Sequence, residues 1–282
     1  MRKLSLTLFS VAVATSAVVA CGSDSASTSD AKAIDAKSID AKVFLDAAGS
    51  GSGSGSANYD FTCFGGTPAT TAADPITITG VVDELSLSGL NAKADVPVAL
   101  FKTGNATALA TTTSAATTGD FASGNLVTGG VPLDAFVRAS FAAYRTTYLY
   151  PPNPAKASLA NVPVPIISNS TFGTLQQFGQ ATQNDTNNGA FLLILSDCAQ
   201  NPINGASVTV QQNNANVGTV FDLGSFAAQA AGLFFVFNVP DGNTTVTAKY
   251  GTMTFPVRIL PAHKGVDGVG SITATEVLPG PL

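Results

Sequence analysis

The sequence predicts an all-β fold, with two tandem β-sandwich domains, a short helix at their junction and a disordered N-terminal tether in front. Three observations support this fold class. Apolar residues alternate with polar or small ones, turn signals interrupt the alternation about every ten residues, and Thr, Ser, Asn, Gly and Val are used in place of charged residues. Only 11% of the 282 residues are charged, against roughly 25% in an average globular protein.

Residues 1–20 have the features of a secretory signal peptide. Met1-Arg2-Lys3 is basic, and an apolar stretch with small residues at its end leads to Cys21. The segment Val18-Val19-Ala20-Cys21 resembles the lipobox of bacterial lipoproteins, in which the Cys is diacylated and becomes the new N-terminus. The alternative is an ordinary signal peptide that is cut near a Cys.

The lipobox resemblance implies a protein anchored to the bacterial cell envelope through lipid on Cys21. Two or more acyl chains together give stable anchoring. Gly22 follows the Cys, where a signal for retention in the inner membrane usually has Asp, so the resemblance favours the outer membrane.

Residues 21–56 are predicted to form a lipid-anchored, low-complexity tether. A five-residue repeat (Asp30-Ala31-Lys32, Asp35-Ala36-Lys37, Asp40-Ala41-Lys42) fits neither a helix face nor a strand face. Gly-Ser pairs from Gly49 to Ser56 complete a flexible coil. About 35 such residues have an r.m.s. span of roughly 30–35 Å. We expect residues 21–56 to be either a stalk that holds the body away from the lipid surface or a linker with no partner of its own.

The strands of the body are predicted from residues that alternate with period two. The alternating sets are Ile76, Ile78 and Gly80; Val96, Val98 and Leu100; Val137, Ala139 and Phe141; Val208 and Val210; Val246, Ala248 and Tyr250; and Phe255, Val257 and Ile259.

The body is predicted to divide into a first sandwich at 57–170 and a second at 188–282. The helical linker between them is predicted at 171–187, where Leu175 and Phe178 share one face and Thr174 and Gln177 have capping-box spacing. In the second sandwich, residues 233–239 are apolar on both faces except Asn238, which predicts a central strand. A strong turn, Pro240-Asp241-Gly242-Asn243, follows it.

The order of motifs in each half resembles the carboxypeptidase regulatory-like domain, a transthyretin-like seven-stranded sandwich related in architecture to immunoglobulin-like domains. The second half, about 188–275, matches the family's segments with Asn204-Gly205-Ala206 and Pro240-Asp241-Gly242. The first half, about 75–167, departs from them because no Gly precedes Ala99 and the turn after Pro132 lacks one. Members are generally non-catalytic appendages, so the resemblance implies no catalytic residue.

Cys63 and Cys198 are left as an even pair once Cys21 is acylated. Exported proteins favour disulfides, so we expect a bond that holds the N-terminal lead against the second sandwich. Closing a loop of about 135 residues is worth roughly 5 kcal/mol in the chain-entropy model. Two buried free thiols are the alternative.

The sequence offers little catalytic chemistry, and no enzyme, cofactor or metal site is expected. His263 stands alone in a turn-like segment, with Asp267 or Asp241 as a potential partner, and no Ser lies in a Gly-x-Ser-x-Gly elbow. One His and a Cys pair are too few ligands for a usual zinc site. Glycosidases use two carboxylates that face each other across the substrate, and Asp222 with Asp241 is the pair that the sequence leaves open for such a role.

The most suggestive surface feature is the aromatic group Tyr144, Tyr148 and Tyr150. Exposed aromatic rings can bind sugars or a protein partner, while the simpler alternative is packing over the edge of the core. The leading prediction is a non-enzymatic structural, adhesion or assembly protein of the envelope. The alternative is a carbohydrate-binding module that uses these tyrosines.

The expected partners are the membrane, through the N-terminal lipid, and an envelope protein or a glycan. Net charge is −5 at neutral pH. A nucleic-acid partner is not expected, because phosphate binding needs a basic surface.

Overall fold

The computed structural model describes residues 58–282, apart from Ser88, Ala228, Gln229 and Asp267. The predicted signal peptide, Cys21 and the predicted tether lie outside the described residues. Strands dominate the described part of the chain, which confirms the predicted all-β class. No helix among these residues is long and apolar enough to cross a membrane.

The first half of the body forms eight strands followed by a helix. Burial alternates along the strands as the sequence predicts: Val98 and Leu100, and then Val137 and Ala139, face a core. The elements are β1 (Ile78–Ser86), β2 (Gly89–Ala92), β3 (Pro97–Lys102), β4 (Ala108–Thr113), β5 (Asp120–Ala122), β6 (Ala135–Ala139), β7 (Thr146–Tyr150), β8 (Leu159–Ile166) and α1 (Asn169–Phe178).

The second half adds nine strands and one short helix within the described residues. They are β9 (Asn188–Leu195), β10 (Ser207–Gln212), β11 (Ala215–Asn216), β12 (Thr219–Asp222), α2 (Leu223–Phe226), β13 (Leu233–Pro240), β14 (Gly242–Tyr250), β15 (Met253–Thr254), β16 (Arg258–Ala262) and β17 (Ser271–Val277). The predicted central strand is β13, which pairs with β12 on one side and β9 on the other. The predicted turn follows it, with Gly242 at a φ of 121° that only glycine adopts readily.

Two local predictions differ from the structure. Phe255 is buried, but Val257 and Ile259 are 57% and 68% exposed, because Pro256 interrupts the segment and β16 turns Leu260 and Ala262 inward instead. The difference shows that a single proline is enough to shift the alternation by one residue.

The helix is shorter than predicted, at Asn169–Phe178, and it begins before the predicted capping box. Ser168 is the N-cap, and its Oγ accepts from the Thr171 amide at 3.1 Å. The helix ends at Gly179, where a Cβ would lie 2.8 Å from the Phe237 ring. A side chain larger than hydrogen would therefore collide with the core at the end of α1.

The strands of both halves meet in one eight-stranded sheet, here called the central sheet. Its order is β12-β13-β9-β17-β7-β6-β3-β4. The junction between the halves is the parallel pair β17–β7, in which Ala274 lies opposite Leu149. Two smaller sheets complete the fold: β1, β2, β5 and β8 form one, and β10, β11, β14, β15 and β16 form the other.

The two smaller sheets cover opposite faces of the central sheet. On the first face, the row from Leu100 through Val137 and Leu149 to Leu192 and Phe235 packs under the β1 sheet and helix α1. On the second face, side chains that alternate with this row pack against the β14 sheet. Each half therefore forms a sandwich, and the two sandwiches share their central sheet.

We expect the body to unfold in a single transition, because hydrogen bonds of the central sheet run from one half to the other. Scanning calorimetry of the disulfide-bonded protein should give a calorimetric enthalpy equal to the van't Hoff enthalpy. Two separate transitions would show instead that the predicted domains at 57–170 and 188–282 unfold independently.

Candidate functional site

The described chain begins with a strap, residues 58–66, which is bonded to the second sandwich. The predicted disulfide is present: Cys63 and Cys198 are joined, with their Cα atoms 5.7 Å apart. Cys198 lies three residues after the end of β9, so the bond attaches the strap close to the end of a central strand. The N-terminal side of the body is thereby fixed covalently to the second half.

Hydrogen bonds and aromatic contacts hold the strap on both sides of the disulfide. The Asp60 amide donates to Asp197 Oδ2 at 2.9 Å, and the Asp60 carbonyl accepts from the Cys198 amide at 2.7 Å. The Tyr59 hydroxyl accepts from the Asn204 amide at 2.9 Å, and its ring packs edge-on against Tyr250.

The C-terminal segment packs against the same strap. A Cβ at Gly280 would lie only 1.9 Å from the Cys63 carbonyl oxygen, so glycine permits the contact. The strap, the disulfide and the C-terminal segment are therefore in contact at one end of the second sandwich.

Tyr144 lies apart from the other two predicted surface tyrosines. It belongs to the core between the β1 sheet and the central sheet and is 9% exposed. Its hydroxyl donates to Glu84 Oε2 and accepts from Lys93 Nζ, both at 2.7 Å. Its polar and apolar surfaces are therefore already occupied within the protein.

Tyr148 and Tyr150 come together with His263, and we call these three residues the tyrosine–histidine cluster. The Tyr148 ring stacks on the imidazole with a centroid separation of 3.8 Å, and the Tyr150 hydroxyl lies 3.2 Å from His263 Nε2. Phe136 continues the stack, 4.9 Å from the Tyr150 ring. Tyr150 is buried and Tyr148 half-buried, so the rings pack mainly against one another.

Burial sets the protonation states of the cluster. Desolvation raises the pKa of both tyrosine hydroxyls and lowers the pKa of His263, while the charge of Asp241 opposes part of the histidine shift. The imidazole is therefore neutral at pH 7.

We expect the tyrosine–histidine cluster to make folding sensitive to mild acid. Since the pKa of His263 is lowered in the folded state, the unfolded chain binds the proton more readily below about pH 6.5. Stability contributed by the neutral imidazole is complete above that pH and is lost as the pH falls towards the folded-state pKa. Urea denaturation between pH 7.5 and 5.5 measures the slope.

The matched control for this prediction is His263→Gln, which retains a polar side chain that does not titrate. The variant should lose the acid-dependent slope over the same range. An unchanged slope in the variant would mean that other groups set the pH dependence.

The other predicted chemical residues have structural partners. Asp222 caps α2, with its Oδ1 accepting from the Gly224 amide at 2.9 Å, and Asp241 Oδ1 accepts from the Lys264 amide at 3.0 Å. Asp267 lies outside the described residues. Within the part of the chain that the structure describes, no three His, Cys, Asp or Glu side chains converge as metal ligands.

A cavity on the first face of the central sheet was missed by sequence reasoning. It encloses about 90 Å³, and we call it the Glu276 cavity. Its wall is mostly apolar, and Glu276, Gln200 and Tyr150 are its residues with polar side-chain groups. The apolar wall includes Leu100, Leu133, Val137, Leu149, Ala155 and Val162.

Glu276 is half-buried, and desolvation raises the pKa of its carboxyl group. The neighbouring Ser196 and Gln200 side chains oppose the shift, while the nearby charge of Asp197 adds to it. A signal was present in the sequence, because Glu276 is the one charged residue in β17, Ser-Ile-Thr-Ala-Thr-Glu-Val. Buried strands rarely carry such a residue without a reason.

No family model matches the chain, and no curated protein matches it. The resemblance to carboxypeptidase regulatory-like domains therefore stays a prediction.

Similar solved structures of low sequence identity include two pilins. The shaft pilin SpaA of Lactobacillus rhamnosus GG is 12% identical, with 76% of this chain and 98% of that chain covered and a TM-score of 0.22. The minor pilin GBS52 of Streptococcus agalactiae is 11% identical, with 73% and 97% covered and a TM-score of 0.24. The match to the Bacillus anthracis TIE protein is 10% identical, covers 72% of this chain and only 34% of that chain, and has a TM-score of 0.24. TM-scores this low assign no function to the chain.

Proposed function

We propose that this chain is a lipid-anchored, non-enzymatic protein of the bacterial cell envelope with a structural or adhesion role. Lipid on Cys21 holds it at the outer membrane, residues 21–56 act as the tether, and the paired sandwiches are the presented body. The strap is the single observation that carries the proposal, because its disulfide cross-links the chain next to the tether to the second sandwich.

The position of the strap fits a protein that bears load between a membrane and a partner. Tension that reaches the body through residue 58 passes within five residues to Cys63 and across the disulfide to the end of β9. A lead held only by its hydrogen bonds would peel away one contact at a time. A covalent bond at this point prevents such peeling.

The tyrosine–histidine cluster supports a packing role over a catalytic one. His263 Nε2 faces the Tyr150 hydroxyl, and the Tyr148 ring covers the imidazole. A general base needs access to a proton on a substrate or nucleophile, and these contacts occupy the ring. The carbohydrate-binding alternative gains no support either, since Tyr144 and Tyr150 are buried.

Density-gradient fractionation of the producing bacterium tests the location. The wild-type protein should sediment with the outer membrane, whereas a Cys21→Ala variant should leave that fraction because the acylated residue is missing. Wild-type protein in the soluble fraction would contradict the anchoring.

The role itself is tested by deletion of the gene and complementation. Loss of surface attachment or of envelope integrity is expected on deletion. Recovery is expected with the wild-type protein and not with Cys21→Ala. A deletion strain that keeps both properties would rule out the proposed role.

A further inference from the structure

We propose that the Glu276 cavity is a binding site for a small primary ammonium compound with an apolar chain or ring. Tyr150 of the tyrosine–histidine cluster is part of the cavity wall, but the proposal uses neither that cluster nor the strap and does not depend on lipid anchoring. Its basis is a carboxyl group on the wall of a largely apolar space that forms no ion pair with any described residue.

Among the residues that the structure describes, Glu276 forms no ion pair. The ion pairs within the described residues join Lys93 to Glu84 and Arg145 to Asp185. The groups that surround the Glu276 carboxyl are the neutral Ser196 and Gln200 and the acidic Asp197. Burial of an ionised carboxylate is costly unless it is paired and hydrogen-bonded, so a cationic ligand would supply what the chain does not.

The shape and lining of the cavity define the rest of the ligand. Leu133, Val137 and Leu149 on its wall give apolar contact and no hydrogen bond from their side chains. A space of about 90 Å³ is several times the ~10–15 Å³ that a single water molecule needs. A compact linear or aromatic amine is the class of ligand that matches this size and lining.

Charge then selects among apolar compounds of equal size. An alcohol can fill the wall but leaves Glu276 without a counter-charge. A carboxylate is repelled by both Glu276 and Asp197. We therefore expect the order hexylammonium, hexan-1-ol, hexanoate from strongest to weakest binding.

The experiment is a titration of the purified protein with these three compounds at constant ionic strength and pH. Methyl NMR signals of Leu133, Val137 and Leu149 report the site directly. Hexylammonium should shift these signals saturably with an affinity at least tenfold higher than that of hexan-1-ol, and hexanoate should leave them in place. The proposal fails if hexylammonium leaves them unshifted or binds no better than hexan-1-ol.

Two variants distinguish the effect of the Glu276 charge from the effect of the cavity volume. Glu276→Gln keeps the side-chain shape and removes the charge, so hexylammonium should lose at least tenfold in affinity while hexan-1-ol changes less than twofold. Ala155→Leu places a larger side chain on the wall, where Ala155 is 4% exposed, and should weaken both. Retention of hexylammonium affinity in Glu276→Gln would overturn the role of the carboxylate. If either variant fails to fold, the comparison of ligands on the wild-type protein decides.

Discussion

Removal of the Cys63–Cys198 disulfide is expected to lower the free energy of unfolding by about 5 kcal/mol. The bond joins residues separated by 135 positions, and a cross-link over so long a loop strongly restricts the unfolded chain. In the folded protein the strap retains its hydrogen bonds to Asp197 and Asn204. The loss therefore comes chiefly from the greater freedom of the unfolded state.

Guanidinium denaturation of a Cys63→Ser/Cys198→Ser double variant measures this effect. Tyr59→Phe is the matched control, since it removes only the hydrogen bond that the strap receives from the Asn204 amide. The control should lose about 1 kcal/mol. A loss in the double variant no larger than that of the control would contradict a stabilising role for the bond.

The same disulfide is expected to shield more than half of the body from stretching. When tension is applied between the N-terminal side of Cys63 and the C-terminus, residues 64–197 lie inside the closed loop and cannot extend. Reduction releases this loop, so single-molecule unfolding should lengthen by about 450–490 Å at ~3.3–3.6 Å per residue. Equal extension with and without reductant would show that the disulfide does not carry the load.

Phe235→Ala is expected to destabilise the fold by about 3–5 kcal/mol. Phe235 is fully buried in β13, where its ring packs against Phe172 of α1 and Phe237. The substitution leaves a cavity between the central sheet and the helix, because the surrounding strands are held by pairing on both sides.

Thermal or chemical denaturation measures this loss, and Phe226→Ala is the control variant. Phe226 is 61% exposed and stacks on Phe178. Apart from the loss of this stacking, Phe226→Ala should lower the free energy of unfolding by less than about 1 kcal/mol. Similar losses in the two variants would mean that the β13–α1 contact is not a principal core of the protein.

The strands were predictable because their side chains face two different environments. Val98 and Leu100, or Val246 and Ala248, are buried at alternate positions, and this period is visible without any tertiary information. β13, which is apolar except for Asn238, was likewise recognisable as a strand covered on both faces.

The shared central sheet was not predictable, because the pairing partner of a strand is set by contacts distant in sequence. Nothing in the segment Ser271–Val277 indicates that it lies between β7 and β9. The parallel pair β1–β8 is hidden for the same reason.

The candidate sites were likewise predictable where local sequence decides them and unpredictable where contacts distant in sequence do. Cysteine number and the expected oxidising compartment were enough to predict the disulfide. The tyrosine–histidine cluster could not be foreseen, since Tyr148 and His263 meet only when β16 crosses the second face of the central sheet. A charge in β17 marked Glu276, but the cavity beside it depends on how the β1 sheet and the central sheet pack.

The central claim is that Cys21 carries the lipid that anchors this body to the envelope. Mass spectrometry of the protein extracted from membranes of the producing bacterium tests it most directly. The account predicts a mature chain that begins at Cys21 with a diacylglyceryl group on its sulfur. A mature chain that begins elsewhere, or an unmodified Cys21, would contradict it.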